Sequence, residues 1–157
     1  MSANPSAGLR IQILDWLHAR PLVEPVRRCV FIREQGIPEA LEWDGIDPTA
    51  THAAALDHAG RCLGTGRLIF RDEQGMVRIG RMAVLAAYRR TGVGSALLET
   101  ILVRADQAGA DVIHLHAQLP LASFYARYGF REEGSVFDEA GIAHIRMIRG
   151  SQPIRNR

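Results

Sequence analysis

Cysteine, charge of one sign and long apolar runs are all scarce in this chain, and each scarcity removes a class of function. Only Cys29 and Cys62 occur, far apart and in no metal-ligand spacing. That excludes a disulfide framework or a zinc module and predicts two thiols buried among apolar neighbours, as suits a reducing cytosol. No stretch approaches the roughly 20 apolar residues of a membrane span, and Met1 to Gly8 does not read as a secretory signal. A cytoplasmic protein with no membrane partner is expected. Lys and Arg number 19 against 17 Asp and Glu, a formal net charge of +2. The arginines are scattered and form no basic stripe, so nucleic acid is not an expected partner. His114 and His116 share a strand face, being two apart, but no third ligand of suitable spacing joins them, so no metal is expected either.

What remains is 157 residues, 47% hydrophobic and 23% charged, enough for one domain with a real core. One domain is expected over residues 1–149, followed by a flexible basic tail over 150–157. Leu9 to Leu17 begins with alternating apolar and polar residues and predicts a strand. Pro21 and Pro25 frame the start of a helix from about Glu24 to Gln35, stopped by Gly36 and Pro38. The acid-dense stretch Glu39 to Asp47 follows, with Trp43 in its middle. It reads most simply as a solvated face. His52–Asp57, Arg61–Phe70 and Met76–Leu85 read as strands, joined by the turns Asp57–Gly60 and Asp72–Gly75 into an antiparallel meander. A helix from Gly92 to Gln107 comes next, with Val93, Leu97, Ile101 and Ala105 as its inner stripe. Val112–Ala117 is a strand, Pro120–Tyr128 a short helix, and Arg131–Phe137 and Ala143–Arg149 the last strands. The order β-α-β-β-β-α-β-α-β-β predicts an α/β (α+β) fold with a mixed, mostly antiparallel sheet flanked by helices.

The richest stretch is Arg89-Arg90-Thr91-Gly92-Val93-Gly94-Ser95, between an apolar strand and an amphipathic helix. Two glycines remove Cβ atoms that would hold an anion off the backbone N–H groups. The helix start adds unpaired N–H groups and a positive dipole end. The dipole contributes only roughly 0.3–2 kcal/mol, so several N–H bonds must act together. Arg89 and Arg90 add charge-assisted contacts, and a pyrophosphate is the ligand this pattern suits.

That order, with Arg89-x-x-Gly92-x-Gly94 opening the long helix, resembles the GNAT superfamily of N-acyltransferases. Met82-Ala83-Val84 stands the expected distance before the loop, and Ala122-Ser123-Phe124-Tyr125-Ala126-Arg127-Tyr128-Gly129-Phe130 is similar to the family's second signature. Val30 to Pro38, Gln118 and Gly141-Ile142-Ala143-His144 resemble the ElaA/YjcF-like subgroup, so the likeness spans about residues 10–149. It implies acetyl-CoA as co-substrate, with the pyrophosphate on backbone N–H groups from Arg90, Thr91, Gly92, Val93, Gly94 and Ser95. Met82, Ala83 and Val84 would pair with the pantetheine arm, as an added strand would. Gln118 and Phe124 would help hold it, and Tyr125 would protonate the departing thiolate.

The implied reaction moves an acetyl group to a primary amine of a small molecule or peptide, and the family leaves a homodimer open. Arg90 stands where many members carry glycine. The fourth strand offers Arg78 and Arg81 where well-known members place a glutamate base. On a regular strand those two arginines point to opposite faces. Glu34, an acid of the loop (Glu39, Glu42, Asp44, Asp47) or His116 are the candidates for the base. Two other functions share these features: a CoA-binding sensor without catalysis, and a relative of the acyl-homoserine lactone synthases, suggested by Phe31, Glu34, Trp43, Asp44 and Asp47.

Overall fold

Asp15 decides how the chain enters its first helix. A strand β1 (Arg10–Leu14) ends there, and the Asp15 carboxylate accepts from the His18 N–H at 3.0 Å, an N-cap of ordinary type. The helix α1 (Trp16–Arg27) therefore starts eight residues before the expected Glu24, and both prolines lie inside it. Burial of Ala19, Val23 and Val26 on one face outweighs the hydrogen bonds the prolines cannot make. From Arg28 to Glu34 the helix continues in π form, and the Gln35 N–H reaches back to the Val30 carbonyl at 3.1 Å.

The computed structural model describes residues 8–150. After a single turn α2 (Glu39–Glu42) come β2 (Thr51–Leu56), β3 (Cys62–Ile69) and β4 (Val77–Val84). Then follow α3 (Val93–Gln107), β5 (Val112–Gln118), α4 (Ala122–Ala126), β6 (Arg131–Glu139) and β7 (Ile142–Gly150). Gly150 closes β7 instead of opening a tail, and the rest of the basic tail lies outside the described residues. The seven-stranded sheet has the order β1-β2-β3-β4-β5-β7-β6, antiparallel except at β4–β5. The expected mixed α/β architecture is the one observed.

Helix α3 packs on one sheet face over β1–β4 through Val93, Leu97, Leu98, Ile101, Leu102 and Ala105, in a core cluster that also holds Ile79, Ile113, Leu115 and Met147. Burying each large apolar side chain contributes roughly 1.5–3 kcal/mol. Gly64 and Gly66 in β3 set how closely the helix sits. A Cβ at Gly66 would come within 2.6 Å of both Ile101 Cδ1 and Met82 Sδ. On the opposite face α1 covers the first half of the sheet, packing Ala19 and Val23 on Ala54 and Leu56, while Val26, Val30 and Phe31 cluster with Ala83. Both cysteines are free and half-buried, less sequestered than expected.

Candidate active site

Strands β4 and β5 pair over only three positions, the last being Ile79 with Leu115. Beyond it β4 carries a bulge. Thr65 faces Ala83 and Arg67 faces Gly80, so Gly66 alone opposes both Arg81 and Met82. Arg81 holds a left-handed backbone, φ 53°, which a side-chain-bearing residue rarely adopts. The extra residue bends β4 away from β5 and opens a cavity of about 530 Å³ between them. It also overturns the regular-strand expectation: Arg78 and Arg81 both line this cavity.

One wall is a buried lattice of charge. Arg27 donates from Nε to Glu42 Oε2 and from Nη1 to Asp47 Oδ1, each at 2.7 Å. Arg67 reaches Asp44 at 2.8 and 3.0 Å and Asp47 at 3.0 Å. Arg81 donates to the Glu42 carbonyl at 3.0 Å and to Asp44 Oδ2 at 3.2 Å. Burial disfavours the charge on Asp44, but the hydrogen bonds and charge of Arg67 outweigh it and hold the carboxyl at about 2. The acid-rich loop is therefore not a solvated face: Glu42 and Asp47 are buried because three arginines from α1, β3 and β4 meet them. Trp43 lies against Arg27 and Arg28, its ring centroid 4.9 and 5.5 Å from their guanidinium carbons.

The facing wall comes from β5, α4 and the β6–β7 hairpin. Tyr125 is buried on it, and burial raises its phenol well above the ordinary value, so the group is protonated at neutral pH. His116 also lines the cavity, with Nδ1 at 2.9 Å from Glu139 Oε1 and 3.1 Å from Arg78 Nη2. The hydrogen bond from His116 keeps the Glu139 carboxyl below its usual range. A charged carboxylate at that distance accepts a hydrogen bond, so the proton of the neutral ring is assigned to Nδ1 and the Nε2 lone pair is left free. Glu139 was not singled out from sequence. It is brought to His116 by a two-residue turn in which Ala140 and Gly141 both have positive φ, 55° and 79°.

The glycine loop does not itself line this cavity but is linked to it through Phe124, whose ring lies 5.1 Å from that of Tyr125. Arg90 and Gly92 have φ of 63° and 92°, and α3 begins at Val93 without a side-chain cap, so its first N–H groups are unpaired within the helix. Thr91 Oγ1 donates to the Tyr88 carbonyl at 2.5 Å. A Cβ at Gly94 would sit 3.8 Å from both Phe124 and Val84, so Phe124 packs beside the loop. Of the strand residues, Met82 lines the cavity, whereas Ala83 is buried toward α1. Gln118 ends β5 in a reciprocal amide pair with Gln35, at 3.0 and 3.3 Å. Arg89 is tied down by its own chain: Nε donates to the Val84 carbonyl at 2.9 Å, and its fork clasps Glu34 at 2.5 and 2.8 Å. Glu34 is 40% exposed and does not line the cavity, and Arg89 holds its carboxyl below the usual range.

A family model described as acetyltransferase (GNAT) domain matches residues 30–149. This chain belongs to the GNAT acetyltransferases. It is 31% identical to the N-acetyltransferase YjcF of Bacillus subtilis (strain 168) over 125 residues, covering 79% of this chain and 87% of that protein. It is 32% identical to protein ElaA of Escherichia coli (strain K12) over 127 residues, 79% and 82% of the two chains. An acyl-CoA N-acyltransferase from Pseudomonas aeruginosa superposes with a TM-score of 0.81 at 32% identity, covering 90% of this chain and 99% of that one. The GNAT domain is thus an acyltransferase, and its fold is one that uses acyl-CoA. No helix among the described residues is long and apolar enough to cross a membrane.

Proposed function

We propose that this GNAT enzyme transfers an acetyl group from acetyl-CoA to a primary amine of a small molecule or peptide, by direct attack within a ternary complex. One observation carries the reading. Phe124 packs between a glycine-lined, uncapped helix start, 3.8 Å from a Cβ at Gly94, and Tyr125 in a cavity that holds this buried neutral phenol and a carboxylate-oriented imidazole.

The chain's own residues then have distinct tasks. N–H groups from Arg90 to Ser95 bind the pyrophosphate, with Arg90 adding its exposed charge. The splayed edge of β4 at Met82–Val84 offers backbone groups to the pantetheine amides, with Gln118 and Phe124 beside them. His116 Nε2 accepts a proton from the incoming ammonium, directly or through one water, while Glu139 stabilises the imidazolium that results. As the C–S bond breaks, the Tyr125 hydroxyl donates its proton to the thiolate, and the phenolate regains one from the new amide nitrogen, which sheds its second proton. Supporting this pairing of roles, burial keeps Tyr125 protonated while Glu139 stays ionised. Glu34, the other candidate base, serves in this reading to anchor the loop through Arg89.

Calorimetry with coenzyme A and a thiol-release assay with acetyl-CoA over amines, amino acids and peptides test the proposal together. A heat of association that disappears when Gly94 is replaced by a bulky residue, with turnover that falls on Tyr125→Phe, is the expected result. No association with coenzyme A overturns the reading. Tight association with no turnover on any amine identifies a sensor instead.

A further inference from the structure

Resting on the acyltransferase reading above, we infer that the acceptor carries a carboxylate within a few bonds of its amine, as an α- or β-amino acid does, and that Arg78 receives it. The cavity's charges lead there by elimination. Glu42 and Asp44 are engaged by Arg27, Arg67 and Arg81, and Glu139 by His116. Arg81, the other cationic wall residue, is occupied by Glu42 and Asp44 and by the Glu42 carbonyl.

Arg78 differs. Among the described residues no carboxylate lies within ion-pair distance of it, and its one side-chain contact is His116 Nδ1 at 3.1 Å. With its proton on Nδ1, the ring donates that N–H to Glu139 at 2.9 Å, so the nitrogen has no lone pair for the Arg78 donor. The guanidinium fork is thus a half-buried cation on the cavity wall with no acceptor of its own. Glu73, exposed at the cavity rim, is the acid there without an arginine. One free charge of each sign matches a zwitterionic acceptor and mismatches a polyamine.

The spacing sets how far apart the acceptor's groups are. The amine gives its proton to the same imidazole that Arg78 touches, so amine and carboxylate meet side chains in mutual contact. A short aminocarboxylate spans that separation, whereas the charged end of a long acceptor would lie elsewhere. A planar fork also suits two-point binding of a carboxylate better than a point charge does.

The test measures kcat/KM for amino acids against their decarboxylated and carboxamide counterparts, in the full-length enzyme with acetyl-CoA. The wild type is expected to favour the carboxylate by about 10–100-fold, the range of a charge-assisted pair. Arg78→Gln should bring that ratio close to one, and Arg78→Lys should leave an intermediate ratio. Calorimetric affinity for coenzyme A, read on each variant, reports whether the fold and the cofactor side are intact. If Arg78→Gln does not fold, the wild-type ratio alone decides. Equal or better use of amines without a carboxylate, or a ratio unchanged in Arg78→Gln, overturns the inference while leaving the acyltransferase reading in place. Loss of that reading would appear differently, as no association with coenzyme A or no thiol release with any amine.

Discussion

The two walls of the cavity are built on opposite electrostatic plans. On the α1–β3 side, Arg27 and Arg67 are almost wholly buried, and with Arg81 they meet Glu42, Asp44 and Asp47 in equal number. Each carboxylate on that side has an arginine partner, and Arg67 Nε and Arg81 Nε are the buried donors there left without a hydrogen bond among the described residues. Elsewhere on the cavity wall, Arg78 of β4 and Tyr125 of α4 have no ionic partner among the described residues, and His116 of β5 meets the single carboxylate of Glu139. The difference separates scaffold from site. Charge answered within the chain fixes the shape of the loop, whereas groups left unanswered in a cavity are available to a substrate.

Breaking the scaffold wall should give the largest effect. Arg27→Ala strips two buried carboxylates of a partner, and such an uncompensated burial costs about 3–5 kcal/mol. Urea denaturation is expected to show a loss of that size. A loss below about 1 kcal/mol would mean the lattice is wetter than its burial indicates. The matching change on the other wall, Tyr125→Phe, is expected to lower turnover about 100-fold or more. Its stability and its affinity for coenzyme A should hardly move. If turnover were unchanged, the phenol would be a packing residue and the contrast between the walls would lose its catalytic half.

What was legible from sequence was local. The strands of the meander, helix α3 and its inner stripe, and the turns at Asp57–Gly60 and Asp72–Gly75 follow from short-range period and turn residues, and the structure has them. The helix start failed because two prolines read as a boundary, while the single cap at Asp15 is what fixes it. The bulge at Arg81 has no sequence mark at all, since a positive φ at arginine is imposed by its surroundings. The arginine lattice joins residues 15 to 40 apart, such as Arg27 with Glu42 and Arg81 with Leu41. His116 meets Glu139 only because β7 lies between β5 and β6 in the sheet. Pairings of that kind depend on topology, which a linear reading of charge does not contain.

Acid offers a finer probe of the scaffold wall. Asp44 has its folded pKa depressed to about 2 from an ordinary 3.8. Its contribution is thus fully present above the unfolded value and lost as pH falls through the folded one. The shift corresponds to about 2 kcal/mol. Stability measured between pH 5 and pH 2 should fall by about that amount more in the wild type than in Asp44→Asn. Equal slopes would mean that Arg67 and Arg81 do not hold the carboxylate as their distances imply.

The smallest expected effect is the most pointed, because it separates two candidates for the same task. Glu34 and His116 were both eligible bases on sequence, but their surroundings now differ. Glu34 is locked to the fork of Arg89, with its carboxyl depressed by that hydrogen bond, and lies off the cavity wall. A carboxylate so held is a weak proton acceptor. Its ion pair is half-exposed, and such pairs contribute only about 0–1 kcal/mol. Glu34→Gln is therefore expected to change turnover by less than about 3-fold and to leave the pH–rate profile in place. Releasing Arg89 from its partner should, if anything, tighten coenzyme A slightly by freeing a cation beside the loop. His116→Gln, measured alongside, should cost about 100-fold in turnover. The reverse pattern would move the base to the π-helical end of α1 and make the His116–Glu139 pair a structural contact of the β6–β7 hairpin.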